Sequence, residues 1–231
     1  MTTEDSAFSG LVYVTDAESS SLSGCKIDST ATKTEWKAPW IVVEPVVENL
    51  VLLNWPGRLL RVEVSEAAPV QPEWQTSYRW AFSVRILEER SPSELFGPHG
   101  LYVCEILNKV RQISLHEVQR LADNSNLEAR RAYSRAFDAW IDSSTTKKGS
   151  PINQGFTLIH KILINRAREI EGDSAFRDDG NGEVSFAPNW AATEDAVCNA
   201  AMAYGAPDLL APQEKDLLLS AWLSVFDSIE F

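Results

Sequence analysis

Paired cysteines, clustered histidines, long apolar runs and an excess of basic charge are all missing from this 231-residue chain, and each absence removes a class of protein. The three cysteines, Cys25, Cys104 and Cys198, are odd in number and far apart, so neither a disulfide framework nor a thiolate zinc site is expected. His99, His116 and His160 lack metal-ligand spacing, so no metal and no cofactor is expected. No apolar stretch approaches the about 20 residues of a membrane-spanning helix. The acidic, polar opening MTTEDSAFSG is unlike a secretion signal, and a reducing, cytoplasmic setting is the expectation.

Lys and Arg number 21 against 33 Asp and Glu, a net charge of −12. Direct binding to nucleic acid or to an anionic membrane needs a basic footprint, so neither is expected as a partner. The imbalance is uneven: residues 1–90 carry 13 acids and 8 bases, residues 91–150 carry 7 and 8, and residues 151–231 carry 13 and 5. No GxSxG elbow, P-loop, GxGxxG, HExxH or kinase pattern occurs. No catalytic residue is therefore assigned, and the reading leans away from an enzyme.

Apolar material is plentiful. A hydrophobic fraction of 44%, with eight Trp and nine Phe, supports a sizeable core. The expected class is α+β, with an antiparallel, β-rich N-terminal half packed with or followed by a helical C-terminal half. Strands are expected near 11–15, 40–44, 58–64 and 78–88. The last is the most regular: Tyr78, Trp80, Phe82, Val84 and Ile86 alternate with Arg79, Ala81, Ser83 and Arg85, which predicts one buried aromatic and aliphatic face. Between the first two strands, residues 16–37 read as a long loop holding at most one short strand. Val46, Leu50 and Leu53 share a helical face and suit a short helix over 46–54, although a second strand fits the composition nearly as well. Trp55-Pro56-Gly57 predicts a type II turn.

Pro92 stops the central strand, and Gly97-Pro98-His99-Gly100 bridges to a run of helices. These are expected near 101–110, 115–123, 127–141, 152–171, 191–204 and 212–228. Ser114 and Glu117 have the spacing of a capping box. The alanine-rich helix over 191–204 carries small side chains that permit close packing. The polar stretch Ser143–Pro151 is the best internal boundary, dividing a mixed domain over 1–142 from a helical region over 151–231 that packs on it or shares one domain with it.

Candidate binding residues are few. His99, held in a tight turn before a helix, is a possible base or anion contact, although no second catalytic group accompanies it and a turn that redirects the chain explains it more simply. Arg130, Arg131 and Arg135 form the one local basic patch, partly neutralised by Glu128 at i−3 from Arg131. Trp36 and Trp40 bracket Lys37-Ala38-Pro39 and are candidate aromatic anchors. Asp178–Glu183 resembles a calcium loop in composition but misses the glycine and glutamate positions of an EF-hand.

From about Trp40 to Trp140 the chain resembles a small domain of uncharacterised proteins of actinobacteria and their phages. The residues that carry the likeness are Asn54-Trp-Pro-Gly-Arg-Leu-Leu-Arg-Val-Glu-Val64, Arg85-Ile-Leu-Glu-Glu-Arg90, Ser93-Glu-Leu-Phe-Gly-Pro-His-Gly100 and Arg131-Ala-Tyr-Ser-Arg-Ala-Phe-Asp-Ala-Trp140. They are turn and packing residues, so the resemblance implies a bacterial or phage setting and no activity. The expected function is a non-enzymatic interaction or accessory protein, such as a phage or mobile-element host-interaction factor, with another protein as partner. Two alternatives stand beside it. One is a diverged nucleotide-handling enzyme of ADP-ribosyltransferase type using Tyr13, Glu63 and Glu66. The other is an acidic mimic of nucleic acid.

Overall fold

The computed structural model describes residues 8–15, 22–72, 77–143, 151–178, 180 and 184–229. Contacts divide the chain into two compact units, Met1–Glu94 and Leu95–Phe231. The first is built on an antiparallel sheet and the second is helical, so the class is α+β. The polar stretch 144–150, read as the internal boundary, lies outside the described residues, as do Trp74 and most of the calcium-like run 178–183.

Five strands make the N-terminal sheet: β1 (Ser9–Thr15), β2 (Thr30–Thr32), β3 (Ile41–Val43), β4 (Gly57–Ala67) and β5 (Arg79–Arg90). β4 lies between β1 and β5. β2 and β3 pair in series along the other edge of β5, with residues 33–40 arching between them. The sheet then closes on itself. Leu11 and Glu44 exchange both backbone hydrogen bonds, 2.6 and 2.9 Å, and so tie β1 to the end of β3. Closure removes a free edge that would otherwise template pairing with another chain. Inside, Val12, Val14, Leu60, Val62, Val84 and Ile86 are buried together, each contributing about 1.5–3 kcal/mol.

Two glycines permit this closeness. A Cβ on Gly10 would stand 2.5 Å from the Glu44 carbonyl oxygen, and one on Gly57 2.5 Å from the Tyr13 ring. The type II turn expected at Trp55-Pro56-Gly57 does not form. It needs positive φ at the glycine, whereas Gly57 is not among the positive-φ glycines and already opens β4. The helix expected over 46–54 is also absent. Only a 3₁₀ turn, Val47–Asn49, forms, and the chain then buries Leu50 and Leu52 while exposing Val51 and Leu53. Alternate burial on one side of an extended chain outweighs the helical spacing of Val46, Leu50 and Leu53.

β5 departs from its expected alternation in a way that matters below. Opposite β4, Ser83 pairs with Glu66 but the next pair joins Ala81 to Ala67, so Phe82 is an extra residue in β5. Such a bulge shifts the alternation of side chains. Val84 and Ile86 stay in the core, while Ala81, fully buried, replaces the aromatics there. Tyr78, Trp80 and Phe82 are left half-exposed on the outer side.

Glu44 is buried at the closure point with Oε2 lacking a hydrogen-bond partner. Desolvation raises its carboxyl above the usual range, against the lowering effect of a hydrogen bond from Asn49. A raised folded-state value means that the folded protein binds this proton more tightly than the unfolded chain. Ionised Glu44 therefore destabilises at neutral pH, and this penalty fades as pH falls through the raised value. Glu44→Gln is expected to stabilise the protein by about 1 kcal/mol at neutral pH. The difference between variant and parent in thermal unfolding should shrink toward pH 4.

The second unit comprises α1 (Gly100–Val110), α2 (Leu115–Asp123), α3 (Leu127–Ser143), α4 (Pro151–Glu171), α5 (Pro188–Gly205) and α6 (Pro212–Leu223), with a hairpin of β6 (Phe176–Asp178) and β7 (Val184–Phe186). α5 is its axis and touches the five other helices. The alanines read from sequence allow this: Ala196, Ala200, Ala201 and Ala203 are all buried. Pro188 starts α5 at a position where its missing N–H costs nothing. The Ser114–Glu117 capping box forms, with Ser114 N–H donating to Glu117 at 2.7 Å and Glu117 N–H to Ser114 Oγ at 3.3 Å. α6 stops five residues earlier than its apolar stripe suggests. Beyond it the Ile229 N–H donates to the Tyr204 hydroxyl at 3.3 Å, which buries Ile229 without a helix. No described helix is long and apolar enough to cross a membrane.

Candidate functional site

The bulge at Phe82 builds the most distinctive surface of the sheet unit. Trp36, from the arch over 33–40, packs edge-on against the Phe82 ring at 4.1 Å between centroids and lies 6.1 Å from the Trp40 ring. Further along the same side of β5, Trp80 lies 6.3 Å from Tyr78 and pairs across the sheet with the exposed Val42. Trp36 is 50% exposed although a ring holds it on one side. The backbone beneath is fixed. Gln71 extends the sheet with its side chain, donating to the Trp80 carbonyl at 2.8 Å and accepting from the Trp80 N–H at 3.1 Å.

Polar atoms on this platform are unspent. Among the described residues, the indole N–H groups of Trp36, Trp40 and Trp80 and the Tyr78 hydroxyl make no hydrogen bond. By contrast, the buried Trp190 indole donates to Glu171 at 2.6 Å. The platform is therefore a set of apolar rings edged with free donors, held in place before any partner arrives. Sequence reading selected Trp36 and Trp40 but missed Tyr78, Trp80 and Phe82, because strict alternation assigned them to the core.

The other selected residues lie in the helical unit. His99 occupies the N-cap position of α1 after Gly97, which takes a positive φ of 78°, and its ring lies 6.5 Å from Tyr102. Its side chain makes no capping hydrogen bond, and its backbone carbonyl accepts from Tyr102 N–H at 3.1 Å. The geometry is that of a chain-redirecting turn. The three arginines of α3 each meet a carboxylate: Arg130 meets Asp195, Arg131 meets Glu128 at 2.5 Å, and Arg135 meets Glu214 at 2.7 Å. The hydrogen bond from Arg135 holds the Glu214 carboxyl below its usual range, and Glu214 also accepts from the Ala211 N–H at the start of α6. Arg130 and Arg135 thus tie α3 to α5 and α6, while Arg131 pairs within α3. His160 pairs with Glu194 at 2.6 Å.

Two of the three thiols, Cys104 and Cys198, are suppressed. Burial pushes the Cys104 thiol up to about 12, and burial with nearby Glu194 and Asp195 raises Cys198 as well. Neither supplies a thiolate at neutral pH. No group of three or more His, Cys, Asp or Glu among the described residues is placed to hold a metal ion. Tyr13, Glu63 and Glu66 do not converge: β1–β4 pairing sets Tyr13 opposite Leu59 and Glu63 opposite Ser9, and the Tyr13 hydroxyl donates to the Asn54 carbonyl at 3.2 Å.

No protein-family model matches the chain, and neither a curated protein nor a solved structure matches it.

Proposed function

We propose that the protein is a non-enzymatic interaction module whose aromatic platform receives an extended, proline-rich segment of a partner protein. The observation that supports this is the pinned, half-exposed set of Trp36, Trp40 and Phe82 with unspent indole donors. A polyproline II segment has no internal hydrogen bonds, so its carbonyls are free to accept from indole N–H groups while its proline rings lie on aromatic faces. Rings already ordered by each other lose little further freedom on binding. The excess of 13 acids over 8 bases across residues 1–90 favours a segment with Lys or Arg flanks. On the resemblance given above, the partner belongs to a bacterial or phage proteome and the protein is an accessory or host-interaction factor.

The test is a binding titration with a synthetic peptide of Pro-x-x-Pro repeats between basic flanks, with a scrambled proline-free peptide as control. Trp36→Ala is expected to lose about 30-fold in affinity, the about 2 kcal/mol of an aromatic hot spot. Its melting temperature should hardly change, since the ring is half in solvent. Equal binding of both peptides, or full affinity in the variant, contradicts the proposal.

A further inference from the structure

Glu44 holds the unexplained group of the sheet unit. Its backbone alone makes the bridge to Leu11, so closure of the sheet does not require a carboxyl at this position. Yet the side chain is 7% exposed, with Oε2 sealed from solvent and without a partner. Asn49, which also donates to the Ser77 hydroxyl at 3.3 Å, gives the carboxyl a hydrogen bond. A carboxylate sealed in this way is costly, and an unsatisfied buried group in a folded protein calls for an explanation.

No cation offsets the cost. Along β1 the titratable residue is Tyr13, whose hydroxyl is donated to the Asn54 carbonyl. β3 carries no titratable group, and the 3₁₀ turn adds Glu48, a like charge. On β4, Arg61 stands opposite Leu11 but is paired with Glu88 at 2.9 Å, and Glu63 stands opposite Ser9. On β5, Arg79 stands opposite Val43 with its guanidinium over the Phe8 ring. The sheet unit contains no histidine, so carboxyls are its only side chains that titrate between about pH 4 and 7.

The same residue stands at a hinge. Leu11–Glu44 is an isolated bridge, and β3 is otherwise held by its three pairs with β5. β3 runs directly out of the arch that carries Trp36 and Trp40, and its Val42 is exposed beside Trp80. Opening the bridge hydrates Glu44 and leaves β3 paired along one edge only. The closed form holds a neutral carboxyl better than a carboxylate, so closure is strongest below the ordinary carboxyl range and weakens as pH rises through the raised value. We propose that Glu44 is a proton-operated latch: protonated, it keeps β1 and β3 joined and the aromatic arch ordered; ionised, it loosens β3 and weakens the platform's hold on a peptide. The effect on peptide binding rests on the function proposed above, whereas the latch itself does not.

The test is hydrogen exchange of the Leu11 and Glu44 amides in the full chain from about pH 4 to about pH 7.5, with rates converted to opening constants so that intrinsic exchange chemistry cancels. The opening constants should rise at least about threefold in one transition above the ordinary carboxyl range. The Trp36 and Trp40 indole N–H signals should move with the same midpoint, and affinity for the proline-rich, basic-flanked peptide should fall at least about threefold across it. Glu44→Gln, which cannot ionise, should hold all three readouts flat, while Glu48→Gln should leave the transition in place. Opening constants in the parent that do not change with pH, the same transition in Glu44→Gln, or a transition that the Trp36 and Trp40 signals ignore would overturn the proposal. A peptide that binds at no pH refutes the proposed function instead, and the exchange and indole signals still decide the latch.

Discussion

Trp190→Ala is expected to cost about 3–5 kcal/mol, the largest stability loss of any single aromatic truncation in the helical unit. Trp190 is 1% exposed at the start of the central helix α5, stacked on Phe186 with centroids 6.5 Å apart. Truncation removes the ring from a close-packed interior that refills only in part, and the loss includes the resulting cavity. It also removes the indole donor to Glu171. Since α5 contacts every other helix, loosening its first turn disturbs the whole bundle. Urea unfolding followed by helical circular dichroism should show a midpoint shifted strongly downward. Trp190→Phe should recover much of the loss, retaining most of the ring volume but not the hydrogen bond. A midpoint for the alanine variant within experimental error of the parent would show that α5 is not the axis described here.

Gly10→Ala is expected to open the sheet. Its new Cβ would stand 2.5 Å from the Glu44 oxygen and 2.8 Å from the Val43 side chain, distances that force the two backbones apart. Both Leu11–Glu44 hydrogen bonds are then lost or stretched. Two hydrogen bonds at about 0.5–1.5 kcal/mol each and overpacking of about 1–3 kcal/mol give a cost of about 2–6 kcal/mol. Hydrogen exchange locates the damage: the Leu11 and Glu44 amides should lose protection first. Equal protection in variant and parent would mean that β1 and β3 are held together by something other than this bridge.

Much of the fold is legible in the sequence because its signals are local. The Ser114–Glu117 capping box acts over three residues, and Pro92 and the Gly97–Gly100 turn act where they stand. The alanines of α5 declare a helix that others pack against. What was not legible depends on distant partners. The closure between Leu11 and Glu44 leaves no periodic trace, because a single bridge pair obeys no repeat. The short strand β2 is too brief to stand out within a Ser- and Thr-rich loop, and the β6–β7 hairpin is hidden in a run that reads as turn alone.

The site divides along the same line. Trp36 and Trp40 were visible as unusual residues around a proline, but their exposure was not. The bulge at Phe82 turns the aromatic half of β5 outward, and it arises from pairing with β4, which no pattern within β5 contains. The arginines of α3 show the converse. Only Glu128 is close enough in sequence to be foreseen as a partner, whereas Asp195 and Glu214 lie 65 and 79 residues from their arginines.

The central claim is that the outward aromatics of β5 and the 33–40 arch are a binding face. Its most direct test is the set of indole N–H signals of nitrogen-labelled protein, recorded while the proline-rich, basic-flanked peptide is added. The account predicts progressive shifts of the Trp36, Trp40 and Trp80 signals, as their free donors find peptide carbonyls, with Trp190 and Trp222 unmoved in the helical core. A spectrum in which those three signals stay fixed at saturating peptide, or in which only Trp190 or Trp222 moves, would contradict it.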